Sequence, residues 1–136
     1  MNVAALMTAD PVTIGVDDML RAALEKMETH QIQHLPVLSN NRHLVGILSD
    51  RDCRLAMRSP FTDRPYWQSD LVEQVVVRNM MTPAPITIED NSPTIEAARL
   101  MLTHQIGCLP VMRDETLVGI ITRSDLLMAY LNLQRG

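Results

Sequence analysis

Aromatic residues are scarce in this chain: Phe, Tyr and Trp together make up 3% of its 136 residues. Apolar residues nevertheless make up 46%, so Leu, Ile, Val, Ala and ten Met must fill the core. Long apolar runs are missing as well, because no stretch approaches the roughly 20 residues that cross a bilayer. The first residues also lack the basic start and apolar run of a secretory signal. We therefore expect a cytoplasmic protein that does not engage membranes.

Paired cysteines and an excess of basic charge are also missing. Cys53 and Cys108 are the two cysteines, and they have no CxxC spacing. This pattern predicts reduced thiols rather than a disulfide framework. The formal net charge is -4, which argues against a nucleic-acid binder, since such proteins usually carry a basic patch.

The chain contains an internal repeat. Three blocks of the first half recur in the second, at an offset of 74 residues that becomes 73 at a turn: MTADPVTI (7–14) with MTPAPITI (81–88), ALEKMETHQIQHLPVL (23–38) with AARLMLTHQIGCLPVM (97–112), and LVGILSDRD (44–52) with LVGIITRSD (117–125). Since copies of this size are marginal alone, they are expected to share a core. We predict a first repeat at 1–57, a linker at 58–76 and a second repeat at 77–136.

Each repeat has the pattern strand, helix, strand, strand, helix. Short β-branched runs follow two prolines, and a helical apolar stripe comes next. Asp18 and Ser92 are the predicted N-caps of the first helices, and Asp52 and Asp125 stand near the start of the second helices. Between the helices, two apolar runs flank a turn, which predicts an antiparallel hairpin.

The linker holds three of the four aromatic residues, namely Phe61, Tyr66 and Trp67. One interpretation is that these rings cover an exposed edge of the core. The other is a lid over a ligand site or a subunit contact.

The closing motifs GILSDRD (46–52) and GIITRSD (119–125) run from a strand into a helix. Gly46 and Gly119 allow close backbone approach. The hydroxyls of Ser49 and Thr122 lie beside a helix N-terminus, which favours an anion, and the carboxylates of Asp52 and Asp125 accept hydrogen bonds from a diol. These groups suit a ribose with a phosphate, but the same residue types also cap helices without any ligand.

A phosphate also requires a cation, and the chain has eleven Arg and a single lysine, Lys26. Arginine forms bidentate contacts with phosphate. Arg51 and Arg123 lie inside the motifs and Arg54 one turn later, so these three are the phosphate candidates. Asp50 adds a carboxylate to the first motif only, which predicts tighter nucleotide binding at the second motif.

Two enzyme classes are the alternatives. His30 and His34, with His104 and Cys108 at the equivalent positions, have the i, i+4 spacing of a metal site on a helix. However, His30 lies near a predicted helix end and His34 in a predicted strand, which argues against one helical face, and neither an HExxH motif nor a catalytic carboxylate pair accompanies them. A thiol nucleophile is disfavoured because the sequence assigns no base to Cys53 or Cys108.

The duplicated motifs resemble a tandem pair of CBS domains, often called a Bateman module. The resemblance covers about 3–57 and 77–133 and depends on LMT and MMTP at the openings, LPV and LVGI in both copies, and the two closing motifs. It implies an α/β fold of two β-α-β-β-α repeats, packed sheet to sheet about a pseudo-twofold axis with two clefts. In many members these clefts bind AMP, ADP, ATP or S-adenosylmethionine.

The resemblance also implies roles for particular residues. Asp52 and Asp125 would bind the ribose, with Ser49 and Thr122 near the phosphate. The segments that usually flank adenine correspond to Thr13, His34, Val37, Thr87, Cys108 and Val111.

We accordingly expect a stand-alone, non-enzymatic regulatory homodimer that requires no cofactor and signals to a separate protein. The alternative is an interaction module with empty clefts, built on apolar helices such as LLMAYL (126–131).

Overall fold

A computed structural model describes residues 1–57 and 73–135 of the chain. Phe61, Tyr66 and Trp67 lie outside the described residues. This part contains a short 3-10 helix (Val77–Asn79) and five α-helices: α1 (Val3–Leu6), α2 (Leu20–His30), α3 (Asp50–Met57), α4 (Thr94–His104) and α5 (Arg123–Arg135). The strands are β1 (Thr8–Ala9), β2 (Ile14–Gly15), β3 (His34–Leu38), β4 (Leu44–Ser49), β5 (Thr82–Pro83), β6 (Ile88–Glu89), β7 (Cys108–Arg113) and β8 (Thr116–Thr122).

The chain forms two compact units, which exchange their opening segments. The middle unit is Val12–Ala84, and the terminal unit combines Met1–Pro11 with Pro85–Gly136. The predicted repeats at 1–57 and 77–136 describe duplicated sequence, whereas each compact unit takes its opening segment from the other repeat.

Each unit contains one four-stranded sheet, which confirms the predicted α/β fold. The strand orders are β5-β4-β3-β2 in the middle unit and β1-β8-β7-β6 in the terminal unit. The predicted hairpins are present, with β3 antiparallel to β4 and β7 antiparallel to β8. At one edge a parallel strand, β2 or β6, leads into the first helix. At the other edge lies the exchanged strand, β5 or β1.

The first helices pack their predicted apolar stripe into the core of each unit. Leu20, Ala23, Leu24 and Met27 of α2 are all buried. On α4 the equivalent Ala97 and Met101 are buried too. Complete burial of a leucine or methionine side chain is worth about 1.5–3 kcal/mol, so these stripes are a major source of stability.

The prediction that Asp18 and Ser92 are N-caps is wrong. The N-cap residues are Met19 and Pro93, and neither makes a side-chain capping bond. The first helical N–H groups instead donate to backbone carbonyls of the exchanged segments, from Leu20 to Val75 at 2.8 Å and from Thr94 to Met1 at 3.1 Å. Because these partners come from distant sequence, no local capping residue is required.

Asp18 accepts a different hydrogen bond. Its Oδ2 receives the N–H of Gly15 at 2.8 Å. The carboxylate therefore closes the turn between β2 and α2 instead of capping the helix.

The glycines of the closing motifs make room for the exchanged segments. A Cβ on Gly119 would meet the Met7 sulfur and would lie 2.9 Å from the Thr8 carbonyl oxygen. A Cβ on Gly46 would likewise meet the Met81 sulfur. The close approach that these glycines allow is therefore to a methionine and an edge strand.

None of the helices in the described ranges combines the length and apolar character that crossing a bilayer requires.

The exchange of opening segments predicts how the chain can be divided. A fragment of residues 12–84 keeps β5 and the Val75 carbonyl, whereas a fragment of equal length, residues 1–73, loses both. We expect the 12–84 fragment to have the higher melting temperature by circular dichroism. Equal or reversed melting temperatures would contradict the importance of the exchanged segment.

Replacing Gly119 tests the close contact at the second motif. Gly119→Ala should lower the free energy of unfolding by about 1–3 kcal/mol, because a methyl group has no space beside the Thr8 carbonyl. The measurement is urea denaturation. Gly107→Ala is the matched control, since its nearest neighbours lie at an ordinary 3.5 Å. A Gly119→Ala variant as stable as this control would refute the steric argument.

Candidate functional site

The two closing motifs place their hydroxyl residues at the junction of a strand and a helix. Ser49 ends β4 just before α3, and Thr122 ends β8 just before α5. The N–H of Asp52 donates to Ser49 Oγ at 3.0 Å, and that of Asp125 to Thr122 Oγ1 at 3.4 Å. Both hydroxyls therefore cap their helices, as the capping interpretation predicted.

The carboxylates retain capacity for a ligand. Asp125 Oδ2 accepts from the Thr122 N–H at 2.8 Å and from its hydroxyl at 3.1 Å. Its other oxygen, Oδ1, has no hydrogen bond within residues 1–57 and 73–135. Asp52 makes no side-chain hydrogen bond or ion pair in the same ranges. Each motif thus offers a carboxylate oxygen to an external donor.

The structure distinguishes among the three arginine candidates. Five described arginines are in ion pairs: Arg21, Arg54, Arg78, Arg99 and Arg113. Arg54 is held 2.8 Å from Asp50, one turn earlier on α3. Arg51 and Arg123 form no ion pair in the described part of the chain. These two are therefore the cations with charge to offer, and Arg54 serves to offset Asp50.

Arg123 lies against the backbone of Gly107. Its N–H donates to the Gly107 carbonyl at 2.9 Å. Its guanidinium carbon is 3.5 Å from the position that a Cβ on Gly107 would take. The first motif repeats the backbone bond, from Asp50 to Gln33 at 2.9 Å, but it has a carboxylate in place of the guanidinium. Gly107 was not singled out from the sequence, although its alignment with Gln33 was visible.

His34 and Cys108 occupy equivalent positions beside the motifs. His34 pairs with Ser49 across the hairpin, and Cys108 pairs with Thr122. Burial lowers the pKa of His34, and the negative charges of Asp52 and Asp50 only partly oppose this effect. A neutral imidazole therefore faces the first motif at neutral pH.

Both thiols are unsuited to nucleophilic chemistry. Burial, reinforced by Asp50 and Asp52, raises the pKa of Cys53 to about 12. Burial and Asp125 raise the pKa of Cys108 to about 12 as well. Since the thiolate is the reactive form, these side chains behave as small apolar residues.

The six residues predicted to flank adenine differ widely in exposure. Val37 and Val111 are completely buried in the cores of their units, so neither residue offers accessible surface to a ligand. The Thr13 carbonyl accepts a hydrogen bond from Lys26, and the Thr87 side chain is exposed.

The histidines do not share a helical face. His30 is the last residue of α2, whereas His34 begins β3, with Gln31 in the left-handed region between them. Within the described ranges, no group of three or more His, Cys, Asp or Glu side chains is arranged to hold a metal ion.

Comparison with known proteins places the chain in a family. The CBS domain model matches it twice, at residues 3–59 and 77–132. The chain belongs to the CBS domain family. This confirms the predicted tandem CBS pair, and the two matches contain the two closing motifs.

A CBS domain-containing protein of Dictyostelium discoideum is 43% identical over 129 residues, which are 92% of this chain and 88% of that protein. The solved structure of CBSX2 from Arabidopsis thaliana, in complex with AMP, is 30% identical. It covers 98% of both chains with a TM-score of 0.81. Hypoxic Response Protein I, solved with two coordinated zinc ions, is 25% identical, with a TM-score of 0.73 over 94% of this chain and 98% of that one.

The lowered pKa of His34 gives this CBS pair a predictable pH dependence. Below about pH 6.5 the unfolded state gains a proton that the folded state resists, so His34 makes the free energy of unfolding decrease as pH falls. Replacing His34 with Gln should reduce the loss of stability between pH 7.5 and 5.5, as measured by urea denaturation. His30→Gln, at an exposed position, is the control. An unchanged pH dependence in His34→Gln would show that this histidine is not responsible.

Proposed function

We propose that this CBS pair is a regulatory module that binds an adenosine-containing ligand at its two closing motifs. The observation that carries the proposal is the repeated strand–helix junction, whose residues include a capping hydroxyl, a carboxylate with an oxygen that makes no hydrogen bond in the described ranges, and an arginine that forms no ion pair there. AMP is the first ligand to test, because the similar Arabidopsis CBSX2 was solved in complex with it. ADP, ATP and S-adenosylmethionine share the adenosine that the motifs would recognise.

Each group has a distinct role in the proposed binding. Asp52 and Asp125 accept hydrogen bonds from the ribose hydroxyls. Ser49 and Thr122 each accept a backbone N–H. The hydroxyl hydrogen of Ser49 is available to a phosphate oxygen, whereas Thr122 would first release the hydrogen bond that it donates to Asp125. Arg51 and Arg123 supply the positive charge, which the helix N-terminus supplements.

The second motif is the proposed tighter site. Arg123 has the Gly107 backbone beside its guanidinium and no acidic neighbour in sequence. In the first motif, Asp50 places a carboxylate near the proposed phosphate position, and its pairing with Arg54 engages a cation that could otherwise serve the phosphate. Repulsion between like charges grows as water is excluded.

The proposed module has no catalysis of its own and needs no cofactor. The protonated thiols of Cys53 and Cys108 support this. The Dictyostelium relative adds support, because 12% of its length at most remains for another domain. A signal would therefore pass to a separate protein in the cytoplasm, through the ligand's different affinity for two arrangements of the module.

A homodimer is part of the proposal. Helix α5 exposes a run of large apolar side chains, each more than half accessible: Leu127, Met128, Tyr130, Leu131 and Leu133. Apolar surface of this kind is typical of a protein interface. This surface would also serve the interaction role if the motifs bound no ligand.

Asp125→Ala should weaken AMP binding by isothermal titration calorimetry. Loss of a charge-assisted hydrogen bond costs roughly 1.5–3 kcal/mol, which is about a tenfold to hundredfold rise in Kd. Asp52→Ala should affect only the weaker site. Glu115→Ala removes an exposed carboxylate of the same unit and is the matched control.

Two further measurements separate binding from folding. The melting temperature of Asp125→Ala should change less than its affinity, and 2′-deoxy-AMP should show a deficit if the 2′-hydroxyl is the partner. If Asp52→Ala removed the tighter site and Asp125→Ala left it intact, the ranking of the motifs would be reversed. Absence of binding at millimolar concentrations of all four ligands would leave the interaction role alone.

A further inference from the structure

A shallow cleft in the middle unit is separate from the closing motif. It has a volume of about 230 Å³ and is lined by Thr13, Ile14, Gly15, Lys26, Leu38, Ser39, Asn40 and Arg42. Along β3, His34 pairs with Ser49 of the motif, whereas Leu38 lies four residues further at the cleft. Four residues of a strand span about 13 Å, so the cleft and the closing motif lie at opposite ends of β3.

Two cations line the cleft, and the adjoining Asp18 carboxylate is engaged by the N–H of the lining residue Gly15 at 2.8 Å. Lys26, the only lysine of the chain, donates from its ammonium to the Thr13 carbonyl at 2.7 Å, which holds it at the cleft wall. Arg42 lies in the turn after β3, where its N–H donates to Ser39 at 2.8 Å. Its guanidinium forms no ion pair with the residues that the structure describes. A bound anion could therefore pair with the Arg42 guanidinium without breaking an existing ion pair.

The neutral lining groups are also able to donate. Ser39 Oγ accepts the His43 N–H at 3.2 Å, so the hydroxyl hydrogen of Ser39 remains to be donated. Thr13 adds a hydroxyl and Asn40 an amide. Converging donors with two positive charges suit an oxyanion. The cleft is smaller than the roughly 300–1,000 Å³ of pockets for drug-sized ligands, which fits a phosphate group better than a whole nucleotide.

The second repeat shows that the fold does not require this charge. Glu89 stands at the position of Gly15, and Leu100 at that of Lys26. The Glu89 carboxylate accepts the Asp114 N–H at 3.0 Å in the corresponding turn. Arg113 is paired with Asp90 at 2.8 Å. The same hairpin therefore forms with acidic neighbours in the second repeat, and the pair of cations belongs to the first repeat.

We propose that the Lys26–Arg42 cleft binds a phosphate group, either inorganic phosphate or the phosphate of a small phosphomonoester. Lys26 contributes a positioned point charge and Arg42 a bidentate donor. This site does not depend on the proposed nucleotide function, because it uses none of the motif residues.

Amide NMR of the full chain reports on the site directly. Inorganic phosphate and glycerol 3-phosphate are titrated separately, with chloride at matched ionic strength as the reference. We expect saturable shifts at the amides of Gly15 and residues 39–42. Tighter binding of the ester would identify a phosphomonoester, and equal binding would identify the phosphate alone.

Variants then test the assignment. Lys26→Met and Arg42→Asn should each weaken phosphate binding by about tenfold, and Asn tolerates the left-handed backbone at position 42. Arg99→Ala removes an exposed cation of the terminal unit and should bind normally. Asp52→Ala/Asp125→Ala should also keep the response, even if AMP binding fails everywhere. Unsaturable shifts, shifts reproduced by chloride, or full binding by both cleft variants would overturn the proposal.

Discussion

Backbone pairing between each hairpin and the opening segment of the other repeat is the interaction on which both units depend. β5 completes the middle sheet at Gly46 and Ile47, and β1 completes the terminal sheet at Gly119 and Ile120. The same segments satisfy the first N–H groups of α2 and α4. A few residues thus pair with a sheet edge, accept the first N–H of a helix and pack a methionine against the core. They link the hairpin that carries each motif to a remote part of the chain.

The two copies keep this framework while their charges diverge. Asp50 and Arg123 occupy the same first helical position, and each donates its N–H to an equivalent carbonyl. Lys26 and Leu100 also occupy equivalent positions and differ in charge. Because the same backbone hydrogen bonds form in both copies, the side chains at these positions can differ in charge without changing the backbone of the motif. The two closing motifs therefore share these backbone hydrogen bonds but differ in side-chain charge.

The periodic features of the fold could be predicted from the sequence, since they depend on neighbours a few residues apart. The buried stripe of Leu20, Ala23, Leu24 and Met27 and the two hairpins are of this kind. The caps assigned to Asp18 and Ser92 failed because the actual partners, Val75 and Met1, are remote in sequence. The steric role of Gly119 could not be predicted for the same reason, because the methionine for which it leaves space is more than a hundred residues away in sequence.

The candidate site was predictable as a set of residue types but not as an arrangement. Ser49, Asp52, Thr122 and Asp125 were found from their repetition. The pairing of Arg54 with Asp50 follows from their i, i+4 spacing on α3 and was open to prediction. The complete burial of Val37 and Val111 was not, because it follows from how each hairpin lies on its first helix.

The exchanged segments also determine the order in which the two units can fold during synthesis. Every residue of the middle unit has been made once Ala84 is added, so that unit can form while the chain is still growing. The terminal unit must wait, because Thr8 pairs with Ile120. At about 5–20 residues per second, the first strand waits on the order of ten seconds for its partner. During that time the chain's earliest residues remain without the strand that they pair with in the folded protein.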